Sequence, residues 1–351
     1  MDDLILKNRT FLTEMYNRGV FERHAFLCQP EMIPAHKHPD YFFTTSDKPV
    51  QNWIPQFAEN YIRQVEMLEK VKDDSVPCAK IPTGTHIYAA AFGCEVHCYP
   101  DNPPCALPLV SKAREADRLE QPDIWKSPTL YRIFEAAELL QKELGTAAFI
   151  APPDMQSGFD TAALVWDKKD FFCAMADEEE KKSVKRLVSK SAALFREFLT
   201  ALRREFPNCV PSHCPLVWTP PHMGPWLSND ECGAMSTEMF EEFCLPELID
   251  LSEHFGGLGM HCCADAEHQF ESFKKIPGFY AFNRVAAKKG YEPLLESFHG
   301  PDAPVFVLSW SSDKKMETLV KKSDEHARFI FVRKHDSVEA AHEWLARFRD
   351  V

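Results

Sequence analysis

Gly259-Met260-His261-Cys262-Cys263-Ala264-Asp265 follows directly on the apolar, glycine-broken segment Phe255-Gly256-Gly257-Leu258. Read as a β-strand, the run places residues i and i+2 on one face. His261 and Cys263 then converge on a single point, and Cys262 turns to the opposite face to pack. An imidazole and a thiolate brought together are what a tetrahedral zinc site with nitrogen and sulfur ligands requires. The competing reading is a strand-end histidine bonded to backbone beside a buried cysteine. Spacing alone does not choose between them, so the place of the run in the chain has to.

Working outward, helical spacing runs from Met239 to Phe255 before the strand and from His268 to Lys275 after it. Gly278 to Asn283 reads as the next strand, then Val305 to Trp310, a helix from Lys314 to Lys322, and a strand from Arg328 to Val332. A last helix spans Val338 to Phe348, opened by an Asp336/Ser337 cap. Upstream, Asn52 to Val71 is helical and Ser75 to Pro82 a strand. Leu130 to Leu144 is a helix closed by Gly145, followed by a strand at Ala147 to Ala151. Helices over Asp160 to Trp166 and Asp177 to Phe206 precede a strand at Pro211 to Trp218. This alternation predicts parallel βαβ units. Over 351 residues it predicts an α/β fold, a single (β/α)8 TIM barrel spanning 1–351. Residues 1–50 form an irregular N-terminal extension, within which Leu27-Cys28-Gln29-Pro30 reads as a short strand.

Polar residues collect just after these strands: Asp154, Gln156, Asp230, His261, Cys263, Asn283, Trp310 and Ser311. In a barrel those positions form the C-terminal mouth, where active sites sit. Asp154, Gln156 and Trp310 are the candidate substrate contacts, against turn chemistry or a pocket wall as the plainer roles. Asp230 and Asn283 are the candidate catalytic residues, against a helix cap and a turn former.

Composition narrows the function classes. A net charge of -13 argues against nucleic acid, because phosphate binding needs a basic face. No apolar run approaches the ~20 residues of a membrane span, and Met1-Asp2-Asp3-Leu4 lacks the basic-then-apolar pattern of a signal peptide. The expected location is cytoplasmic, and the twelve scattered cysteines are expected to be reduced thiols. Cys94 and Cys98 meet none of the zinc-ribbon or finger spacings. There is no Gly-x-Gly-x-x-Gly and no Walker loop, so a nucleotide-binding sheet loses its usual marker.

The stretch Ser228-Asn229-Asp230-Glu231-Cys232-Gly233-Ala234-Met235-Ser236-Thr237-Glu238-Met239-Phe240-Glu241-Glu242-Phe243-Cys244-Leu245-Pro246 resembles the uroporphyrinogen decarboxylase superfamily. That family has an acidic residue, a small-residue turn, "S-P-E-x-F-x-E-F-x-x-P" opening a helix, and then a strand ending in "H-x-C-G". Gly259-Met260-His261-Cys262-Cys263 falls at that strand end, and Ile276-Pro277-Gly278-Phe279-Tyr280-Ala281-Phe282-Asn283 is similar to the following strand. Asp73-Asp74-Ser75-Val76-Pro77 and Phe92-Gly93-Cys94-Glu95-Val96 are similar to its first half, so the resemblance runs from about residue 60 to the C-terminus.

The resemblance implies a (β/α)8 barrel and one of two activities. True decarboxylases carry an N-terminal "M-R-Q-A-G-R" signature that binds substrate carboxylates. This chain has Thr10-Phe11-Leu12-Thr13-Glu14-Met15 and Phe21-Glu22-Arg23-His24 instead, which disfavours tetrapyrrole decarboxylation. The cobamide-dependent methyltransferase branch holds zinc with its His-x-Cys pair and a later cysteine. The pair maps to His261 and Cys263. No cysteine follows Cys263, and His335, in Val332-Arg333-Lys334-His335-Asp336, is the nearest replacement, with Asp230 or Glu231 as oxygen alternatives. The implied activity is methyl transfer between a corrinoid carried by a partner protein and a thiol or pterin acceptor. A decarboxylase, or a non-catalytic barrel binding a small molecule or a corrinoid protein, is the alternative.

Overall fold

The computed structural model describes residues 1–17, 21–34, 42–99, 102–285, 290–309 and 311–349. Eight parallel strands organise it: β1 (Ala25–Pro30), β2 (Cys78–Lys80), β3 (Phe149–Ala151), β4 (Trp226–Ser228), β5 (Leu258–Cys262), β6 (Phe279–Arg284), β7 (Val305–Ser309) and β8 (Phe329–His335). Six form one sheet in the order β1-β8-β7-β6-β5-β4, and β2 pairs with β3. Bridges Ile150↔Cys209 and Gln156↔Ser228 carry the β3 side over to β4. At the outer edge of β1 two carboxylates take the place of a ladder. Asp74 accepts from the Phe26 N–H at 3.0 Å, and Asp73 accepts from the Cys28 N–H. The result is an α/β fold with a mostly parallel central sheet.

Period-two alternation divides the strand residues between two apolar clusters. Ala25, Leu27, Cys78, Trp226, Ala281, Val305, Val307, Ile330 and Val332 share the inner one. Phe26, Met260, Phe282, Phe306 and Phe331 belong to the outer one, beneath the helices. Each Val, Leu, Ile, Met or Phe among them contributes roughly 1.5–3 kcal/mol when buried. Gly259 is required by this packing, because a Cβ there would run into the Trp226 indole on the neighbouring strand.

The described residues among the first fifty hold more regular structure than their sequence suggested. Asp2–Tyr16 is a helix, α1, whose Leu12, Met15 and Tyr16 enter the inner cluster. Asn8 ties it down by donating to the Asp73 and Ser75 carbonyls, both at 2.8 Å. Its acidic first turn, Asp2 and Asp3, was the available signal. The predicted strand at Pro211 to Trp218 is also not formed. Pro211 and Pro215 cannot donate to a ladder, and the strand lies instead at Trp226–Ser228, inside what read as a Gly/Pro loop. The single helix expected from Met239 to Phe255 is two, α2 (Thr237–Phe243) and α3 (Leu245–Phe255), broken where Pro246 follows Cys244 and Leu245.

Candidate metal centre

His261, near the end of β5, faces inward in register with Ser228 of β4 and Asn283 of β6. The Asn283 amide is fully buried, and its Nδ2 donates to the Val307 carbonyl at 2.6 Å. That contact fixes the orientation of the amide, so Oδ1 faces His261 Nδ1 at 2.6 Å and accepts its proton. A proton is thereby held on Nδ1, and Nε2 is directed away from Asn283 toward the sulfurs. Nε2 meets Cys263 Sγ at 2.9 Å and Cys214 Sγ at 3.9 Å. Burial works against a charge on this imidazole, but the hydrogen bonds and charge of Cys214 and Cys263 outweigh it and push His261 up to about 12. In the metal-free chain Nε2 therefore carries a proton, which a metal ion held there would displace.

Asp230, two residues past β4, completes the cluster. Its Oδ1 accepts from the Cys263 N–H at 2.6 Å. Its own N–H is held by Asp160 Oδ2 at 2.6 Å, and Glu231 N–H by Asp160 Oδ1 at 3.2 Å. One oxygen of Asp230, His261 nitrogen and Cys263 sulfur all lie within 4.8 Å of one another. Nitrogen, sulfur and carboxylate oxygen from three residues form a donor set that suits zinc. The histidine–amide contact behind it is the outer support that metal-binding histidines need. The residues fit the ion that the resemblance implies.

His335 does not join them. It belongs to β8, where Phe329, Phe331, Arg333 and His335 alternate with Ile330, Val332 and Lys334. Its ring lies against Trp344 of the closing helix at 5.3 Å, on the outer side of the strand. The oxygen alternative, Asp230, stands where His335 was expected. Glu231 is engaged by Lys168 at 2.5 Å. Asp154 and Gln156 lie close by: Gln156 Nε2 donates to Asp154 Oδ1, and Asp154 feels the charges of Lys80, His261 and Asp230. Burial holds the Asp154 carboxyl above the usual carboxylate range. Trp310 lies outside the described residues.

A cavity of about 470 Å³ opens beside the cluster, with Gln29, Lys80, His213, Cys214, Ser309 and Lys334 on its walls. That volume falls in the ~300–1,000 Å³ range of small-molecule sites. Lys80 and Lys334 occupy inward positions at the ends of β2 and β8. His213 is buried on the wall, with Nε2 on Ser228 Oγ at 3.1 Å and Nδ1 without a hydrogen-bond partner. Ser309 Oγ is buried and unpartnered too. Burial, with the charges of His261 and Lys80, drives His213 well below the ordinary histidine range, so it is a neutral imidazole. Sequence reasoning missed His213, Cys214 and Lys80. For Lys80 the signal was its alternation with Ala79; for the other two there was none, since they lie on a loop.

Comparison with known proteins follows the same lines. Residues 64–210 match the family model for uroporphyrinogen decarboxylase (URO-D). No curated protein matches. Among solved structures, a methyltransferase from Methanosarcina mazei is 13% identical, covers 98% of this chain and 98% of that chain, and superposes with a TM-score of 0.67. At that identity the likeness concerns the fold. The homocysteine methyltransferase MmuM from Escherichia coli, in metallated form, is 15% identical over 69% of this chain and 96% of that chain, with a TM-score of 0.25, too low to carry an argument. The family match covers less than half of the chain and ends upstream of the His-x-Cys pair; together with the shared fold it bears out the chain's resemblance to the uroporphyrinogen decarboxylase superfamily.

Proposed function

We propose that the chain is a zinc-dependent methyltransferase, moving a methyl group between a corrinoid carried by a partner protein and a small acceptor, a thiol or a pterin. We take its two sheets to form one closed (β/α)8 barrel acting in the cytoplasm. The observation that carries the reading is the Asn283-fixed orientation of His261, which turns Nε2 toward Cys263 and Asp230. Held by these residues, zinc would supply the Lewis acidity that keeps a coordinated acceptor thiol deprotonated at neutral pH.

The chain's own residues prepare that site. Asn283 orients the imidazole, and Asp230 holds the backbone of Cys263 while Asp160 holds Asp230. These contacts form a continuous chain from β6 to the turn after β4, so the ligands are already gathered at one point. The adjoining cavity admits the acceptor, and Lys80 and Lys334 favour one that carries an acidic group. Decarboxylation is disfavoured by Arg23, whose guanidinium is taken up in a two-pronged contact with Asp74, both arms at 2.7 Å, and stacked on Phe11. It is not available to hold substrate carboxylates.

Metal content of the purified protein tests the reading. One zinc per chain, lost in His261→Ala, is the expected result, together with zinc-dependent demethylation of methylcobalamin by added thiols. A correctly folded protein that takes up no zinc would remove the thiol-activation mechanism.

A further inference from the structure

Sequence reading placed every candidate ligand after Ser228, and the chain contains no cysteine beyond Cys263. The fold nonetheless brings a second sulfur to the same nitrogen. Cys214 lies on the loop between β3 and β4, 47 residues upstream of His261, with Sγ at 3.9 Å from His261 Nε2. Tetrahedral zinc, with Zn–N of about 2.0–2.1 Å and Zn–S of about 2.3 Å, holds ligand nitrogen and sulfur about 3.6 Å apart. The observed separations, 2.9 Å to Cys263 and 3.9 Å to Cys214, fall on either side of that value. Cys263 Sγ would draw back by about 0.7 Å and Cys214 Sγ close in by about 0.3 Å to take up those positions.

The loop is not loose at this point. His213 is anchored to Ser228 Oγ, Ser212 Oγ donates to the Val217 carbonyl, and Gln29 Nε2 donates to the Leu216 carbonyl at 2.6 Å. Cys214 is thus fixed from β1 and from β4. It is also half-buried and lines the 470 Å³ cavity, whereas His261 does not. The thiol therefore stands between the imidazole and the space where an acceptor would enter.

From this geometry we propose that Cys214 is a metal ligand, and that the site is His261 Nε2, Cys263 Sγ and Cys214 Sγ with Asp230 beside the fourth position. The inference rests on the zinc reading above and extends its ligand set to a second thiolate. Soft sulfur donors select zinc over magnesium or calcium, and two of them with one imidazole make the site more selective than one sulfur, one nitrogen and a carboxylate. Asp230 Oδ1 is already engaged by the Cys263 N–H, which makes its carboxylate the weakest of the four donors. Three firm ligands with one replaceable position is the arrangement of a catalytic rather than a structural zinc site. Both thiols lose their protons on binding, so uptake releases acid.

Cobalt(II) replacing zinc in the full-length protein tests this without any assay of turnover, because the intensity of thiolate-to-cobalt charge transfer counts the sulfurs bound. The wild type is expected to show the intensity of two thiolates, and Cys214→Ser and Cys263→Ser about half each, while Asp230→Asn leaves the band intact. Far-UV circular dichroism establishes that each variant is folded. Cys214→Ser should still take up one cobalt, with at least a tenfold loss of affinity measured by chelator competition. A wild type that binds cobalt with one thiolate, or a Cys214→Ser spectrum and affinity equal to wild type, overturns the role of Cys214 and leaves the zinc reading standing. A wild type that binds no metal overturns both.

Discussion

Asn283 offers the sharpest test of how this site works. Its side chain is fully buried and makes two hydrogen bonds of 2.6 Å, one accepted from His261 Nδ1 and one donated to the Val307 carbonyl. Asn283→Leu removes both while keeping the same branched heavy-atom shape, so the effect is not that of a cavity. Two consequences separate. The Val307 carbonyl and the His261 N–H are left buried without partners, at about 1–3 kcal/mol each, so the metal-free fold loses roughly 2–6 kcal/mol. In addition, His261 is no longer held with Nε2 turned toward the sulfurs. Outer contacts of this kind are worth about 10–100-fold in metal affinity, or about 1.4–2.7 kcal/mol. Zinc affinity measured against a chromophoric chelator, with urea unfolding of the metal-free protein in parallel, reads the two effects independently. The expected outcome is a lower urea midpoint together with a 10–100-fold weaker zinc affinity. Folded Asn283→Leu protein with zinc affinity within twofold of wild type would refute the argument that the amide sets the histidine for ligation.

Other consequences follow from the surroundings of the site. Glu247 of α3 is buried and accepts from the Gly158 and Phe159 N–H groups at 2.8 and 2.6 Å, yet burial outweighs both and pushes its carboxyl up to about 8 from 4.5. Because the folded state holds this proton more tightly than the unfolded chain, its contribution is full below about pH 4.5 and is lost as pH rises through about 8. Urea midpoints should therefore fall from pH 5 to pH 8 more steeply in wild type than in Glu247→Gln, and parallel slopes would contradict this. Gly259→Ala drives a methyl group into the Trp226 indole and should lower stability by about 1–3 kcal/mol, read as a drop in Tm. His261→Ala should abolish stoichiometric zinc while leaving the circular dichroism spectrum unchanged, since the packing around it is carried by Met260 and Cys262 on the other face.

Much of this arrangement was legible in the residues. Apart from the strand at Trp226–Ser228 and the break between α2 and α3, strand and helix alternation from residue 130 onward follows the predicted order, because the elements carry their own periodicity and their own end signals: Gly145 closes the helix at Pro128–Leu144 and Ser337 opens the one at Val338–Phe348. The convergence of His261 and Cys263, with Cys262 turned outward against Cys232, follows from the two-residue period of a strand. The expectation for His335 failed for the same reason. Ending β8 at Val332 hid the fact that His335 continues the strand in phase with Phe329 and Phe331, so that Lys334 faces inward. Helix α1 was missed because its inner face, Leu12, Met15 and Tyr16, is short and gains its burial only beneath the sheet.

What the sequence determined by itself is the set of things that depend on neighbours along the chain: parallel βαβ order, the phase of each strand, and the His261-x-Cys263 pair as a point of convergence. What only the tertiary structure decided is which distant residues meet that pair. Asn283 comes from the adjacent strand in register, and Asp230 from the turn just past β4. Cys214 comes from a proline-broken loop that has no period to read, and is fixed in place by Gln29, Ser212 and Ser228. Periodicity gives direction along one strand, but the separation between strands and loops is set by how the inner cluster packs. The sequence offered Asp230 as one oxygen alternative among several, and only the fold shows that it, and the thiol of Cys214, stand beside the pair.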